Sequence, residues 1–143
     1  MQYWLMFFLW IWMADSHAQA TVDWTRLSEV GFVQEMDINK GYIVQRPFFD
    51  KSITALEDKQ IEIIGYILPL DVSGEVFALS RYPYDACFFC GGGGVESVMN
   101  IWFSKPGKRY KLDQVVTLRG ILRLIRGGDG LIYLLDKAEE VSK

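Results

Sequence analysis

Cys87 and Cys90 are the only two cysteines of the chain. They sit three positions apart in Asp85-Ala86-Cys87-Phe88-Phe89-Cys90, directly before the four consecutive glycines Gly91, Gly92, Gly93 and Gly94. Two thiols at this spacing can close a disulfide, exchange electrons with another thiol pair, or grip a soft metal ion. Glycines beside them let the backbone take positive φ and bring N–H groups close to a bound group. Asp85 and Glu96 place a carboxylate on each side of the motif.

Four chemistries compete for this segment. A structural disulfide would close so short a loop that chain entropy supplies only about 2 kcal/mol. Thiol–disulfide exchange would make Cys87 the exposed attacking thiol. Redox pairs usually lie beside positive charge or a helix N-terminus, whereas Asp85 and Glu96 would raise a thiol pKa. A metal site is the third reading. Two thiolates suit copper(I), or half of a tetrahedral zinc site completed by Asp85, Glu96 or Met99. A homodimer could instead join two such pairs around zinc or an iron–sulfur cluster. The fourth reading makes Gly91 to Gly94 a cofactor-binding nest for an anion. No Lys lies in the loop and no P-loop pattern surrounds it, so phosphate has little support.

The rest of the chain narrows the choice. Tyr3 to Met13 is an uninterrupted apolar run, followed by Ala18-Gln19-Ala20, a small-x-small pattern. Residues 1–20 therefore read as a secretory signal peptide, with the mature chain starting at Thr21. No Lys or Arg precedes the run, so an uncleaved anchor is the alternative. Cleavage would remove His17, the only histidine. The mature chain then has no Ser-His-Asp or Cys-His catalysis, no Cys/His zinc site and no haem-attachment signature. Export, with the periplasm as the expected compartment, makes an oxidised cysteine pair the default. No apolar stretch after the signal is long enough to cross a membrane. The formal net charge of −3 lacks the basic excess of a nucleic-acid binder. Arg119 and Arg123 read as a solvated face. Tyr82, Tyr84, Phe88 and Phe89 crowd the cysteines, as loop packing or as a surface for a hydrophobic ligand or protein partner.

The motif must be held by β-structure. Gly31 to Glu35 and Tyr42 to Gln45 flank Asp37-Ile38-Asn39-Lys40-Gly41, a hairpin signal. Pro47 is expected to end that pairing. Phe49, Ile53 and Leu56 have helical spacing, so Phe49 to Glu57 reads as a short helix capped by Asp50 or Ser52. Strands follow at Ile61 to Asp71, Val76 to Arg81, Ser97 to Ser104, Val115 to Ile125 and Leu131 to Leu135. Gly127-Gly128-Asp129-Gly130 turns the chain between the last two, and the charged tail from Lys137 should end the last strand. Gly65 and Gly120 inside strands suggest bends or bulges. The fold class is mainly β, and residues 21–143 form one domain. It is a small five-stranded antiparallel barrel like the oligonucleotide/oligosaccharide-binding (OB) fold, with one short helix; a β-sandwich is the alternative.

Cys87-Phe88-Phe89-Cys90-Gly91-Gly92-Gly93-Gly94-Val95-Glu96-Ser97 resembles a family of small exported bacterial proteins with a Cys-Phe-Phe-Cys-Gly-Gly-x-Gly-Pro-Glu-Ser signature. The resemblance continues through Ala55-Leu56-Glu57-Asp58-Lys59 into Ile61 to Gly65, and at Val115-Val116-Thr117-Leu118-Arg119-Gly120. It therefore covers most of the mature domain. It implies an exported barrel-like domain and brings no activity with it. Val95 stands where the family pattern has proline, which leaves the cysteines intact and alters the loop after them. The sequence favours a non-enzymatic binding or accessory role, with zinc or copper as the metal, and exported thiol–disulfide exchange as the alternative.

Overall fold

The computed structural model describes residues 20–127 and 130–142. The segment expected to be a signal peptide, up to residue 19, Gly128-Asp129 of the expected last turn, and Lys143 lie outside them. Eight strands and two four-residue α-helices follow in order: β1 (Ala20–Thr21), α1 (Trp24–Leu27), β2 (Gly31–Asp37), β3 (Tyr42–Phe48), α2 (Lys51–Thr54), β4 (Gln60–Pro69), β5 (Phe77–Ser80), β6 (Val98–Phe103), β7 (Val115–Leu124) and β8 (Tyr133–Glu140). Three single turns of 3₁₀-helix lie between β5 and β6. Among the described residues no helix is long and apolar enough to cross a membrane.

Strands β4 to β8 close on themselves in the order β4-β5-β6-β8-β7, with β7 returning to β4. This is the OB-like barrel read from the strand pattern, and its closure replaces the sandwich alternative. Alternation explains the sidedness. In β4, Ile61, Ile63 and Ile67 point into the core; in β7, Val116, Leu118, Leu122 and Leu124 do the same. One pairing departs from a wholly antiparallel barrel. β8 runs parallel to β6, with Asn100 opposite Leu134 and Ile101 opposite Leu135. β7 intervenes between them in the chain and β8 turns back antiparallel to it, so β8 enters beside β6 in the same sense, which a direct hairpin from β6 could not give.

Gly120 marks a real irregularity. The β7–β8 register shifts between Arg119 and Ile121, and a side chain at Gly120 would lie 2.8 Å from both the Asp136 carbonyl oxygen and the Leu135 side chain. The last strand also continues past Lys137. That residue takes a positive φ of 52°, after which Ala138 is buried and pairs with Phe103. The charged residues Lys137 and Glu139 are exposed, so charge in the tail marks an outward face, not a strand end.

The hairpin is present as β2–β3, with Asp37 opposite Tyr42. Pro47 does not end it, since Phe32 still pairs with Pro47 and Gly31 with Phe48. Proline is tolerated in a strand with a free edge, and this two-stranded ribbon has no third strand to supply. The expected helix is the single turn α2, with Asp50 as its cap, accepting from the Ile53 N–H at 2.9 Å. That interaction holds the Asp50 carboxyl below the usual range. A second single turn, α1, is capped by Asp23, which accepts from the Arg26 N–H at 3.0 Å. Both helices pack under the barrel. The Tyr133 hydroxyl donates to the Leu27 carbonyl at 2.7 Å, and the Trp24 indole N–H to the Ile64 carbonyl at 2.8 Å. Arg119 and Arg123 are only partly solvated. Arg119 bonds Glu62 on the opposed strand at 2.7 Å, and Arg123 bridges Asp58 and Asp136.

Candidate functional site

The cysteine loop fills the connection between β5 and β6. Its base is closed by the Arg81 N–H, which donates to the Ser97 carbonyl at 2.9 Å. The Tyr84 N–H donates to the Asp113 carboxylate at 2.8 Å, tying the loop to the segment before β7. The N–H groups of Cys90 and Gly92 both donate to the Cys87 carbonyl, at 3.1 and 3.0 Å, and the Gly91 N–H donates to Phe88 at 3.0 Å. The two cysteines thus bracket one tight turn. Gly91 ends it with φ of 81°, a conformation that favours glycine. Gly92 is required for space, because a side chain there would fall on the Ala86 carbonyl group. Cys90, Gly91 and Gly92 spend their N–H groups inside the turn, so these three donors do not face outward as a nest.

The two thiols have opposite environments. Cys87 is fully buried beside Leu68, Ala78, Val98 and Leu131, with Phe88 and Val95 packed against the group. Cys90 is exposed, and both are free thiols. An attacking thiol must therefore be Cys90; Cys87, expected in that role, sits behind it. Partial desolvation, a hydrogen bond with the Cys87 thiol and the negative charge of Asp85 together push the Cys90 pKa above its ordinary value, while the Tyr84 hydroxyl pulls it back in part. The Cys87 thiol thus lies near enough to bear on Cys90.

The carboxylates divide between two places. Asp85 acts on Cys90 through its charge. Glu96 folds back over Gly94, where any side chain would strike its carboxylate. It lines a separate cleft of about 380 Å³ with Phe32, Gln45, Phe88, Val95 and Ile132. Met99 is buried in the main barrel core, apart from the loop. Among the described residues no three Cys, Asp or Glu side chains gather where they could share one metal ion. Among the described residues the thiol pair is therefore the donor set gathered at this turn. Phe88 and Phe89 meet edge to face at 5.5 Å, with Phe89 exposed and Phe88 half-buried.

Sequence reading missed the hairpin wall of this cleft. Phe32 and Gln45 lie some fifty residues before the cysteines, and only the tertiary fold sets them against Glu96. No local pattern signals such a contact.

No family model and no curated protein matches the chain. Among solved structures, the fold is similar to the crystal structure of a DUF3299 family protein from Pseudomonas aeruginosa, at 16% sequence identity and a TM-score of 0.54. The similarity covers 88% of this chain and 98% of that one. It shows a shared fold.

Proposed function

We propose that this is an exported, non-enzymatic binding protein whose Cys87–Cys90 turn takes up one copper(I) ion. The observation that carries the reading is the pairing of two neighbouring free thiols, with no third Cys, Asp or Glu gathered beside them among the described residues. Thiolates select copper(I) among the common biological metals, and two of them satisfy a linear soft cation. Zinc asks for four ligands, so it would need the thiols of a second chain. The exposed Cys90 offers the approach, and the buried Cys87 supplies the second sulfur from behind. Binding releases the thiol protons, so the raised Cys90 pKa makes uptake weaken as pH falls.

The reduced protein, titrated anaerobically with copper(I) against a chromogenic chelator, is expected to take one ion per monomer. Cys87→Ala and Cys90→Ala should each abolish uptake. Undiminished uptake by either variant, or none by the wild type, overturns the reading.

A second reading is favoured by the order of the thiols. Cys90 as thiolate would attack a partner disulfide and form a mixed disulfide, releasing one partner thiol. Cys87 would then attack Cys90, leaving an intramolecular disulfide and a reduced partner. Two protons and two electrons leave this chain in the process. Without a cation near Cys90 this exchange is slow at neutral pH. Rapid, stoichiometric reduction of a small disulfide at pH 7, without metal uptake, would select it.

A further inference from the structure

The cleft beside the cysteine loop has the make-up of a binding site in its own right. One wall is the β2–β3 hairpin, through Phe32 and Gln45; the other is the segment after the glycines, through Phe88, Val95 and Glu96, with Ile132 at the floor. At about 380 Å³ it falls within the range of small-ligand sites, which are mostly apolar with few polar groups. Among the described residues its one ionisable lining group is Glu96, which is half-buried. Several carboxylates around the barrel are paired with arginines: Glu57 with Arg126, Glu62 with Arg119, Asp136 with Arg123. Among the described residues no hydrogen bond or ion pair engages the Glu96 carboxylate. An anionic group among aromatic and aliphatic side chains, with no cation paired to it among the described residues, is complementary to a cation brought from outside.

We propose that this cleft binds a small organic ammonium ion. The ammonium group would sit between the Glu96 carboxylate and the faces of Phe32 and Phe88, while its hydrocarbon body covers Val95 and Ile132. Aromatic faces attract such cations electrostatically, and a carboxylate adds a charge-assisted hydrogen bond. Gly94 has a specific part in this arrangement. Its φ of −78° suits any residue, so its lack of a side chain serves the Glu96 carboxylate folded over it. The proposal goes beyond the thiol chemistry and does not rest on it.

The test is an amide-resolved NMR titration of the folded protein with n-butylammonium, repeated with 1-butanol and with butyrate. Saturable shifts are expected at Phe32, Gln45, Phe88 and Gly94 to Glu96, and only for the ammonium. Glu96→Gln should weaken the binding about tenfold or more, the loss expected for one charge-assisted contact. Gly94→Ala, which displaces the carboxylate and keeps it charged, should weaken it as well. Cys90→Ser should leave it unchanged, which separates this site from the thiol pair. The absence of saturable shifts, equal response to 1-butanol, or wild-type affinity in Glu96→Gln would each overturn the proposal.

Discussion

At the residue scale, the two cysteines have different fates because one short turn leaves Cys87 against the core and Cys90 at the surface. Cys87 belongs to an apolar cluster, whereas Cys90 reaches solvent. Alkylation with iodoacetamide, followed by peptide mass spectrometry, should therefore label Cys90 alone in the folded protein. Its rate should keep rising with pH beyond the range of an ordinary cysteine, because only the thiolate reacts and its pKa is raised. Labelling at Cys87 first, or a rate that levels off near neutral pH, would contradict this geometry. The motif itself was legible in the sequence, since Cys-x-x-Cys before a glycine run is local information. Which thiol faces outward was not, because that depends on Leu68, Ala78 and Leu131 from three distant segments.

At the element scale, the β2–β3 ribbon has few buried residues, Val44 and Pro47 among them, and exposes Met36, Ile38 and Ile43 toward its tip. Arg46 ties it down. Its guanidinium bonds Glu35 at 2.7 Å within the ribbon, and donates to the carbonyl oxygens of Arg126 and Gly127 at 3.3 and 3.1 Å. Arg46→Ala should cost about 1 kcal/mol, confined to the ribbon. Hydrogen exchange should then accelerate in residues 31–48 and stay unchanged in β4 and β7. Exchange that accelerates equally everywhere would mean that the ribbon and barrel open together. Strand positions in this molecule were readable wherever one face meets the core, as the alternation in β4 and β7 shows. The end of β8 was misread because Lys137 and Glu139 are charged on the outward face of a strand whose Ala138 is buried. The parallel β6–β8 pair was invisible, since alternation reports which face is buried and not which way the neighbour runs.

At the scale of the whole molecule, the segment before the barrel is part of its core. Val22, Trp24 and Leu27 are buried with the strand residues, and Tyr133 is fully buried with its hydroxyl on Leu27. Tyr133→Phe leaves that carbonyl without its donor and should cost about 1–2 kcal/mol. Urea unfolding should show a lower midpoint with unchanged slope. Burial, with smaller contributions from Glu96 and Asp50, raises the Tyr133 phenol pKa beyond the ordinary range. Tyr110 is raised too, by burial and by Glu140. A phenol whose folded pKa is raised contributes stability that is complete below the unfolded value, near 10, and is lost as pH rises through the folded one. The wild type should accordingly lose stability in that alkaline window, and Tyr133→Phe should lose less of it. An equal alkaline loss in both proteins would show that Tyr133 is not the group responsible.

The place of β8 between β6 and β7 also sets a sequence in time. Of the five barrel strands the ribosome makes this one last, yet it is the partner of both edges of the closing seam. A nascent chain that still lacks residues 133–140 holds an open sheet with two unsatisfied edges, one on β6 and one on β7. The barrel therefore seals only after residue 140 has been synthesised. Until then the polypeptide stays unlatched and threadable, whichever compartment it is bound for.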